Sequence, residues 1–493
     1  MASNKTAVII GAGIGGIATA LFLSKNGYLV SVYEKNSAPG GRCGQLVRDG
    51  YRFDLGATML MMPGIYKDVF SSLGIPLFEN GEIKPLDDLY RIFFDDNEIL
   101  EFSPDSEKMR RQLEKMEPGS FASAERYVKN GYEIFNLGMS RLIARNFYSF
   151  FEFARPQNIG LLIKLKTYIS NWKYAKKFFS NRHLLMAYTF QNIYVGQSPF
   201  TSPALFSMVP AAELTEGSFF PNGGMFSIVQ KLRSEAEENG VKFHFGKAVS
   251  RIKAEGNKAD SIVLEDGSEI KADVIVSNAD LPYVYRKLLP ENRRSRRLDR
   301  LNYSCSAICF HWGLNTVYPQ LAHHNVFLSD HFEEGLDSIF RDGNVSSTPS
   351  FYVHAPCRSD SSAAPAGHDT LSFIVAAGNI DKMKKQDWEE MKKRVRAWLI
   401  KRLQQAGLED IEEHIVCEVC YTPESWESAC NITRGSVFGS VAHNLLQMGW
   451  FRPHNQHDKY KNLYFVGGST HPGNGIPNVL LSAKLTSERI LRN

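Results

Sequence analysis

The chain has 493 residues, of which 43% are hydrophobic and 22% are charged, and its 57 Lys and Arg against 53 Asp and Glu give a formal charge of +4. This length suits two or three structural domains, and the composition excludes a disordered or fibrous protein. So small a charge gives no global signal for nucleic-acid binding, and we expect no nucleic-acid partner.

Cysteine usage indicates a reducing compartment. The seven cysteines are odd in number and scattered along the chain, which argues against a secreted disulfide framework. Cys417 and Cys420 form a C-x-x-C pair, but they lie in a predicted strand, and no second pair lies nearby to complete a zinc site. We therefore expect ordinary strand cysteines, no metal site and a cytoplasmic protein.

Residues 7–23 form an uncharged stretch that could belong to a signal peptide, a membrane anchor or a nucleotide-binding fold. Its glycines, which would each cost a helix core about 1 kcal/mol, argue against a signal peptide and a spanning helix. Split at these glycines, the stretch predicts a buried strand over 6–11 and a helix from Ile14 to Asn26 that ends at Gly27. Residues 28–35 predict a second strand.

The glycine spacing in this stretch predicts a dinucleotide site. Gly11, Gly13 and Gly16 form a G-x-G-x-x-G motif that allows a tight turn, close approach of a pyrophosphate, and close packing of helix and strand. The phosphates would lie at the helix N-terminus, where free N–H groups and the helix dipole favour anions. Glu34 ends the second strand, where a carboxylate would bind a ribose hydroxyl. The predicted contacts of this unit are Gly11, Gly13, Ile14, Gly15, Gly16, Glu34 and Lys35.

A second glycine pair, Gly40 and Gly41, precedes Arg42. The run is either an ordinary loop with a turn or a second clamp whose amides and cation neutralise the pyrophosphate from the other side. We favour the clamp because strand, acid, loop and GGR together resemble the extended fingerprint of flavin oxidoreductases, in which FAD stays bound through catalysis. FAD is therefore the predicted cofactor, with Gly41 and Arg42 among its contacts.

The chain is predicted to return to this domain twice. Residues 463–466 read as a buried strand, and a glycine-rich turn then leads to a helix from about Pro477 whose N-terminus would face the flavin. Residues 217–290 supply a glycine turn, an amphipathic helix and further strands. The predicted contacts in these two segments are Val249, Gly467, Gly468, Gly475 and Ile476. Because no second G-x-G-x-x-G follows these strands, we expect no NAD(P)H site and an electron acceptor that is oxygen or a membrane quinone.

Eight motifs follow one another along the chain: GAGIGG, Glu34, PGGR, GYRFDLGAT, FPNGG, FYVHAPCRSDSSAAPAG, WFRPHN and LYFVGGSTHPGNGIPNVLLSAK. In this order they strongly resemble the bacterial and fungal phytoene-desaturase family, which includes the hydroxycarotenoid 3,4-desaturases. The resemblance implies an α/β protein with a glutathione-reductase-type Rossmann FAD-binding domain like that of amine oxidases, an interleaved α+β substrate domain and a helical part that associates with membranes. It also implies that Gly56, Ala57 and Thr58 of the GYRFDLGAT motif contact FAD.

Three positions depart from the family pattern. The family commonly has Gly-Pro where this chain has Gly56-Ala57, an arginine in place of Asn222, and a glycine in place of Asn478. We expect these positions to lie close to the flavin or the substrate tunnel, so that they bear on which carotenoid is bound and not on whether FAD binds.

The resemblance and the order of segments predict three parts of the molecule. The FAD-binding domain comprises residues 1–75, 217–290 and 455–493. The substrate-binding domain comprises residues 76–110 and 291–454. Residues 111–216 form a helical, membrane-associating subdomain.

Residues 141–182 carry nine Lys or Arg, one acidic residue and ten aromatic residues. The aromatic residues either form the core of a helical domain with a solvated basic face, or insert into a membrane interface where the cations meet anionic lipid. We favour a peripheral membrane surface, because a C40 hydrocarbon must be drawn from the bilayer. The basic residues at 291–300 suit an exposed helix or loop. Residues 387–407 predict a surface helix that begins with an Asp387–Glu390 capping box and ends at Gly407.

The resemblance implies an FAD-dependent oxidoreductase of carotenoid biosynthesis. It would desaturate a C40 carotenoid such as phytoene or a 1-hydroxycarotenoid, with hydride passing to flavin N5 while a proton leaves the neighbouring carbon. The polyene delocalises the developing charge, so the chemistry requires no specific general base. His471 and Lys484 flank the predicted flavin-facing turn and are candidate catalytic residues, against a purely structural role.

Three other functions remain open from the sequence. A carotenoid isomerase would use reduced FAD in the same site without net oxidation. A flavin amine oxidase shares the G-x-G-x-x-G and GGR motifs. A prenyl-lipid carrier of the same fold would not need an intact flavin site.

Overall fold

A computed structural model of the chain describes residues 5–79, 81–290, 293–381 and 386–492. The strands within these ranges are β1 (Thr6–Ile10), β2 (Leu29–Tyr33), β3 (Gln45–Arg48), β4 (Tyr51–Asp54), β5 (Ile83–Pro85), β6 (Tyr90–Phe93), β7 (Ile99–Phe102), β8 (Phe219–Pro221), β9 (Lys242–His244), β10 (Val249–Glu255), β11 (Lys258–Leu264), β12 (Glu269–Lys271), β13 (Val274–Ser277), β14 (Ser306–Leu314), β15 (His324–Phe327), β16 (Phe351–His354), β17 (Asp369–Ala377), β18 (Ile415–Tyr421) and β19 (Leu463–Phe465). The α-helices are α1 (Ile14–Lys25), α2 (Pro63–Ser72), α3 (Ser106–Met116), α4 (Ser120–Gly138), α5 (Phe150–Phe153), α6 (Pro156–Lys164), α7 (Asn171–Ala175), α8 (Arg182–Ala187), α9 (Met208–Glu216), α10 (Phe226–Glu238), α11 (Leu281–Tyr283), α12 (Arg293–Asp299), α13 (Phe332–Phe340), α14 (Trp388–Gln405), α15 (Pro423–Cys430) and α16 (Ile476–Arg492).

A parallel sheet brings together distant stretches of the chain. Strands β19, β13, β1, β2 and β9 lie side by side in that order, and each neighbouring pair is parallel. Alternate residues of β1 point to opposite faces. Ile9 packs in a core shared with α1, α2, α10 and α16, whereas Val8 and Ile10 pack in a second core with the antiparallel strands β10 and β11. Burial on both faces explains why β1 is a continuous apolar run.

The first βα unit forms where the glycine spacing predicts it. Helix α1 begins at Ile14 with Gly13 as its N-cap, and Gly27 follows its end with a φ of +84°. A Cβ at Gly16 would lie 2.2 Å from the carbonyl oxygen of Gly11, so helix and strand approach as closely as they do only because residue 16 is glycine.

A second, mixed sheet has the strand order β18, β14, β17, β16, β15, β6, β7. Strands β15 and β6 pair in parallel, and the other neighbours are antiparallel. Helix α14 covers one face through Met391, Val395 and Leu399, and the Asp387 side chain accepts hydrogen bonds from two N–H groups of its first turn. The other face packs against the helices α3, α4, α8 and α13.

The predicted strand around the C-x-x-C pair is confirmed. Cys417 and Cys420 both lie in β18, paired with Gly313 and Phe310 of β14, and both are free thiols. The predicted basic helix or loop at 291–300 contains α12, and residues 291–292 lie outside the described residues.

The aromatic residues of segment 141–182 divide between core and surface. Phe147 and Phe179 are buried, whereas Phe151 and Tyr168 are 84% and 71% exposed. The core interpretation therefore holds for the buried rings, whereas the exposed rings lie on the surface of the molecule. Of the helices that the structure describes, none is both long and apolar enough to cross a bilayer.

Candidate active site

A cavity of about 600 Å³ reaches from the glycine loops of the parallel sheet to the face of the mixed sheet. Every predicted cofactor contact except Gly16 lines it. Gly16 lies beneath the loop, where it permits the close approach of α1 and β1 described above.

The first end of the cavity is built from backbone. Gly11 turns with a φ of +96°, and a Cβ at Gly13 would lie 2.5 Å from the Asn278 side-chain oxygen. Gly13 caps α1 without a side chain, so the N–H groups of the first helical turn stay available to an anion. Nothing lies within 4 Å of the space a Cβ at Gly41 would take.

The carboxylate of Glu34 organises this end of the cavity. One oxygen accepts a hydrogen bond from the Ala12 N–H at 2.8 Å, and the other accepts from the Asn36 N–H at 2.9 Å. Lys35 donates to the Ser428 carbonyl and the Asn431 side chain, at 2.6 and 3.0 Å. Glu34 therefore holds the first loop in shape while it lines the cavity.

Arg42 supplies the cation that the GGR motif predicts. The Gly40 N–H donates to the Ala12 carbonyl at 2.8 Å, which joins the GGR loop to the first glycine loop. The guanidinium donates to the Val437 carbonyl at 2.9 Å, and a Cβ at Gly468 would lie 3.4 Å from it. Both glycine loops and the C-terminal turn thus converge on one positive charge.

The C-terminal turn completes this end. Gly467 and Gly475 have φ of +119° and +85°, and Ile476 begins α16. The Asn474 Oδ1 is buried with no hydrogen-bond partner among the described residues. This end of the cavity thus offers free amides, one guanidinium, one carboxylate and backbone without side chains. These groups fit the pyrophosphate and ribose of a flavin dinucleotide.

The other end of the cavity is apolar. Its wall combines side chains from β15 and the residue that follows it, from α13 and from the segment after α8, namely Val326, Leu328, Phe332, Leu336, Ile339, Phe190 and Ile193. Thr58 and Tyr352 are polar members of this lining, and their hydroxyl oxygens lie 2.9 Å apart. Such a surface suits a long hydrocarbon.

The structure places neither predicted catalytic residue on the cavity wall. His471 is buried, its Nε2 donates to the Arg145 carbonyl at 3.0 Å, and burial lowers its pKa to about 4. Lys484 lies half-buried within α16. His471 and Lys484 thus belong to the packed turn and helix near the C-terminus, outside the lining of the cavity.

Sequence reasoning missed two side chains of the site. Asn278 follows β13, donates to the Val466 carbonyl at 3.1 Å and lies against Gly13 and Gly467. Its position at the carboxyl end of a parallel strand is a signal that could have found it. Tyr352 lies on β16, and no local pattern connects it with Thr58.

The fold and the cavity define a Rossmann-type flavoprotein. A model of the family described as flavin containing amine oxidoreductase matches residues 14–491. The zeta-carotene-forming phytoene desaturase of Myxococcus xanthus is 37% identical over 99% of this chain and 94% of its own length. The phytoene desaturase of Fusarium fujikuroi is 34% identical over 99% and 90%. Wild-type putrescine oxidase, solved bound to putrescine, shares the fold at a TM-score of 0.64, with 15% identity and 99% of each chain covered.

The chain belongs to the flavin-containing amine oxidoreductase family and, within it, to the phytoene desaturases. It is an FAD-dependent oxidoreductase. The expected family and cofactor are confirmed.

Proposed function

We propose that the protein desaturates a C40 carotenoid in carotenoid biosynthesis. The observation that carries the proposal is one continuous cavity with dinucleotide-binding glycines at one end and a wall of buried apolar side chains at the other. An amine substrate would need polar or charged partners at the reacting end, whereas a polyene needs shape and exclusion of water. Phytoene and 1-hydroxycarotenoids, the latter for 3,4-desaturation, are the proposed substrates.

The residues that would hold FAD are those of the glycine end. The amides of Gly13 and Gly41 and the Arg42 guanidinium would bind the pyrophosphate, and Glu34 would bind the ribose. When bound, FAD supplies the hydride acceptor that desaturation of an unactivated C–C bond requires. The chain itself contributes binding, orientation and exclusion of water through the apolar wall.

In this proposal the two sheets belong to two domains with different roles. The FAD-binding domain would comprise residues 1–75, 217–290 and 455–493, which carry the parallel sheet. The interleaved substrate domain would comprise residues 76–110 and 291–454, which carry the mixed sheet and α14. Residues 111–216 would form the helical, membrane-associating part.

A peripheral membrane surface is part of the proposal. Phe151, Ile163 and Tyr168 of the helical segment are 84%, 64% and 71% exposed, and Leu446 of the loop beside it is 73% exposed. Phe150 contacts Trp450 with ring centroids 6.2 Å apart, so the segment and the loop pack against each other. Arg155 and Lys164 are exposed on the same segment. Apolar tips flanked by cations suit the interface of an anionic bilayer, from which the substrate would be taken.

The test is an anaerobic spectrum of the FAD-loaded protein mixed with liposomes that contain phytoene or a 1-hydroxycarotenoid. Bleaching of the flavin together with a red shift of the polyene supports desaturation, and the lipid mixture that works identifies the substrate. A polyene shift that occurs only after the flavin has been reduced chemically, and that leaves the flavin reduced, identifies a carotenoid isomerase instead. No change in either, with peroxide released from amines in a separate aerobic assay, identifies an amine oxidase, and no turnover of any of these substrates identifies a carrier.

The electron acceptor is tested in the same preparation. We propose oxygen or a membrane quinone, since no nicotinamide motif follows the parallel strands. Reoxidation of the bleached flavin after addition of quinone under anaerobic conditions supports the quinone, and reoxidation only on admission of air supports oxygen.

A further inference from the structure

Three histidines lie together behind the wall of the cavity. His324 begins β15 and His323 directly precedes it, and His354 ends β16. His324 and His354 are register partners across the two antiparallel strands, so they share a face of the mixed sheet. All three side chains are buried, and one ring nitrogen from each lies within 4.8 Å of the others.

Hydrogen bonds from outside the cluster orient two of the rings. His323 Nδ1 lies 2.8 Å from the Ser359 hydroxyl, and His324 Nδ1 lies 2.6 Å from the Tyr352 hydroxyl. With Nδ1 as donor, each ring keeps the lone pair of Nε2 free. Metal-binding histidines typically have such an outer partner on the nitrogen that does not bind the ion.

The remaining nitrogens face one another across a short space. His323 Nε2 and His354 Nε2 are 3.1 Å apart. Two nitrogens that each lie 2.0–2.1 Å from one tetrahedral zinc ion are about 3.3 Å apart. His324 Nε2 is buried and has no hydrogen-bond partner in the described part of the chain. A buried polar nitrogen without a partner is costly, and a bound ion would satisfy it.

The charge state of the cluster also suits an ion. All three imidazoles are buried, and a metal ion binds imidazole in its neutral form through the lone pair of a ring nitrogen. The two nearby guanidinium groups are paired with carboxylates. Arg52 lies 2.5 Å from Asp360, and Arg358 lies 2.9 Å from Asp369.

We propose that His323, His324 and His354 bind one divalent transition-metal ion of the zinc class behind the wall of the cavity. A set of three imidazoles without a carboxylate excludes magnesium and calcium, which take oxygen ligands. Three protein ligands leave one coordination position for water. The Tyr352 hydroxyl connects His324 with Thr58 on the cavity wall, so the ion would also fix this part of the wall. This proposal does not depend on the identity of the carotenoid.

The test measures zinc in tag-free, full-length, FAD-loaded protein. The protein is incubated with zinc chloride, freed of excess metal by gel filtration and assayed for metal per chain. We expect about one zinc per chain in the wild type, and at least a tenfold lower content in His354→Gln and His324→Gln. The matched control is His183→Gln, because His183 belongs to the cluster with Asp96 and Glu98, which is less buried.

If a buried variant fails to fold, X-ray absorption spectroscopy of the zinc-loaded wild-type protein at the zinc edge tests the proposal instead. Three imidazole nitrogens at 2.0–2.1 Å in the wild type support the proposal. Wild-type protein that retains no zinc overturns it. Zinc that survives in folded His354→Gln but is lost in His183→Gln also overturns it.

Discussion

At the scale of single residues, Gly16 shows how one missing side chain sets the position of a helix. A Cβ there would lie 2.2 Å from the Gly11 carbonyl oxygen, which is fixed backbone. We expect Gly16→Ala to lower the free energy of unfolding by about 1–3 kcal/mol, because α1 must shift away from β1. FAD content should fall as well, since the shift distorts the phosphate loop.

The matched control for this substitution is Gly64→Ala. Gly64 lies in α2, and a Cβ there would meet no atom within 4 Å. Alanine should be neutral or stabilising by up to about 1 kcal/mol at such a position. Thermal and urea denaturation of both variants measures the difference. Equal stabilities would show that the close contact between Gly16 and the Gly11 carbonyl does not limit the stability of the protein.

A second residue-scale prediction concerns pH. Glu213 is fully buried, and burial raises its pKa to about 8. The folded protein therefore holds a proton that the unfolded chain loses above about pH 4.5, so this residue favours folding less and less as the pH rises from about 4.5 through about 8. Glu213→Gln keeps the shape and does not titrate.

We expect the stability of Glu213→Gln relative to the wild type to increase between pH 5 and 9, by an amount on the order of a few kcal/mol. Urea denaturation of both proteins at several pH values measures this difference. A difference that stays constant with pH would contradict burial of a protonated Glu213.

Residues that act through their immediate neighbours could be predicted, and residues that act across the fold could not. Gly11, Gly13 and Glu34 are predictable as cofactor contacts because strand, turn and helix follow one another without interruption. Thr58 and Tyr352, whose hydroxyls are 2.9 Å apart, are separated by 294 positions in the chain. The position of His471 in the C-terminal turn makes it a candidate catalytic residue, and only the packing shows that its ring faces the Arg145 carbonyl.

At the scale of elements, local patterns predicted the helices more accurately than the sheets. The helix predicted over Ile14 to Asn26 extends over Ile14–Lys25, and the one predicted from about Pro477 begins at Ile476. Glycine, proline and capping signals mark such ends in the sequence itself. The mixed sheet is different, because its β6–β15 pair joins Ile92 with Val326, and no local periodicity determines that register.

The exposed apolar residues of α5 and α6 lead to a prediction about these elements. Phe151 and Ile163 are 84% and 64% exposed, and each would gain about 1.5–3 kcal/mol on full burial in an apolar environment. We expect Phe151→Glu/Ile163→Glu to bind anionic vesicles at least tenfold more weakly than the wild type in a flotation assay. Added salt should weaken wild-type binding in the same assay, because the cations of this segment contribute.

Val416→Glu is the control for the membrane surface. Val416 is 52% exposed, but it lies on β18, an edge strand of the mixed sheet, and not on α5 or α6. This variant should float like the wild type. Equal losses in both variants would indicate a non-specific effect of added charge, and unchanged flotation of the double variant would place the membrane surface elsewhere.

At the scale of the whole molecule, the two ends of the chain form one unit. β19 pairs with β13, which pairs with β1, and α16 packs against α1. The cavity is lined at this end by residues from both Gly11–Thr58 and Gly467–Ile476. A dinucleotide bound there would hold together segments that are more than 400 positions apart in the chain, so cofactor binding and global stability should be coupled.

This coupling predicts the effect of removing FAD. A ligand that binds only the folded state stabilises it by about 2.7 kcal/mol when its free concentration is 100 times its Kd. We expect the FAD-free protein to have a lower Tm that rises with each increment of added FAD. Arg42→Ala should weaken FAD binding by about 10- to 100-fold, since a charge-assisted hydrogen bond contributes about 1.5–3 kcal/mol. Its Tm should consequently respond to FAD only at correspondingly higher concentrations.

The control for Arg42 is Arg251→Ala, because Arg251 is exposed on β10 and does not line the cavity. Flavin fluorescence titrations give Kd, and melting curves in the same FAD series give the coupled Tm. An Arg42→Ala protein that keeps the wild-type Kd would assign the pyrophosphate to the amides of the glycine loops alone. A weakened Kd without a matching change in the Tm series would show that FAD binds the folded and partly unfolded chain alike, and that the C-terminal turn does not close over it.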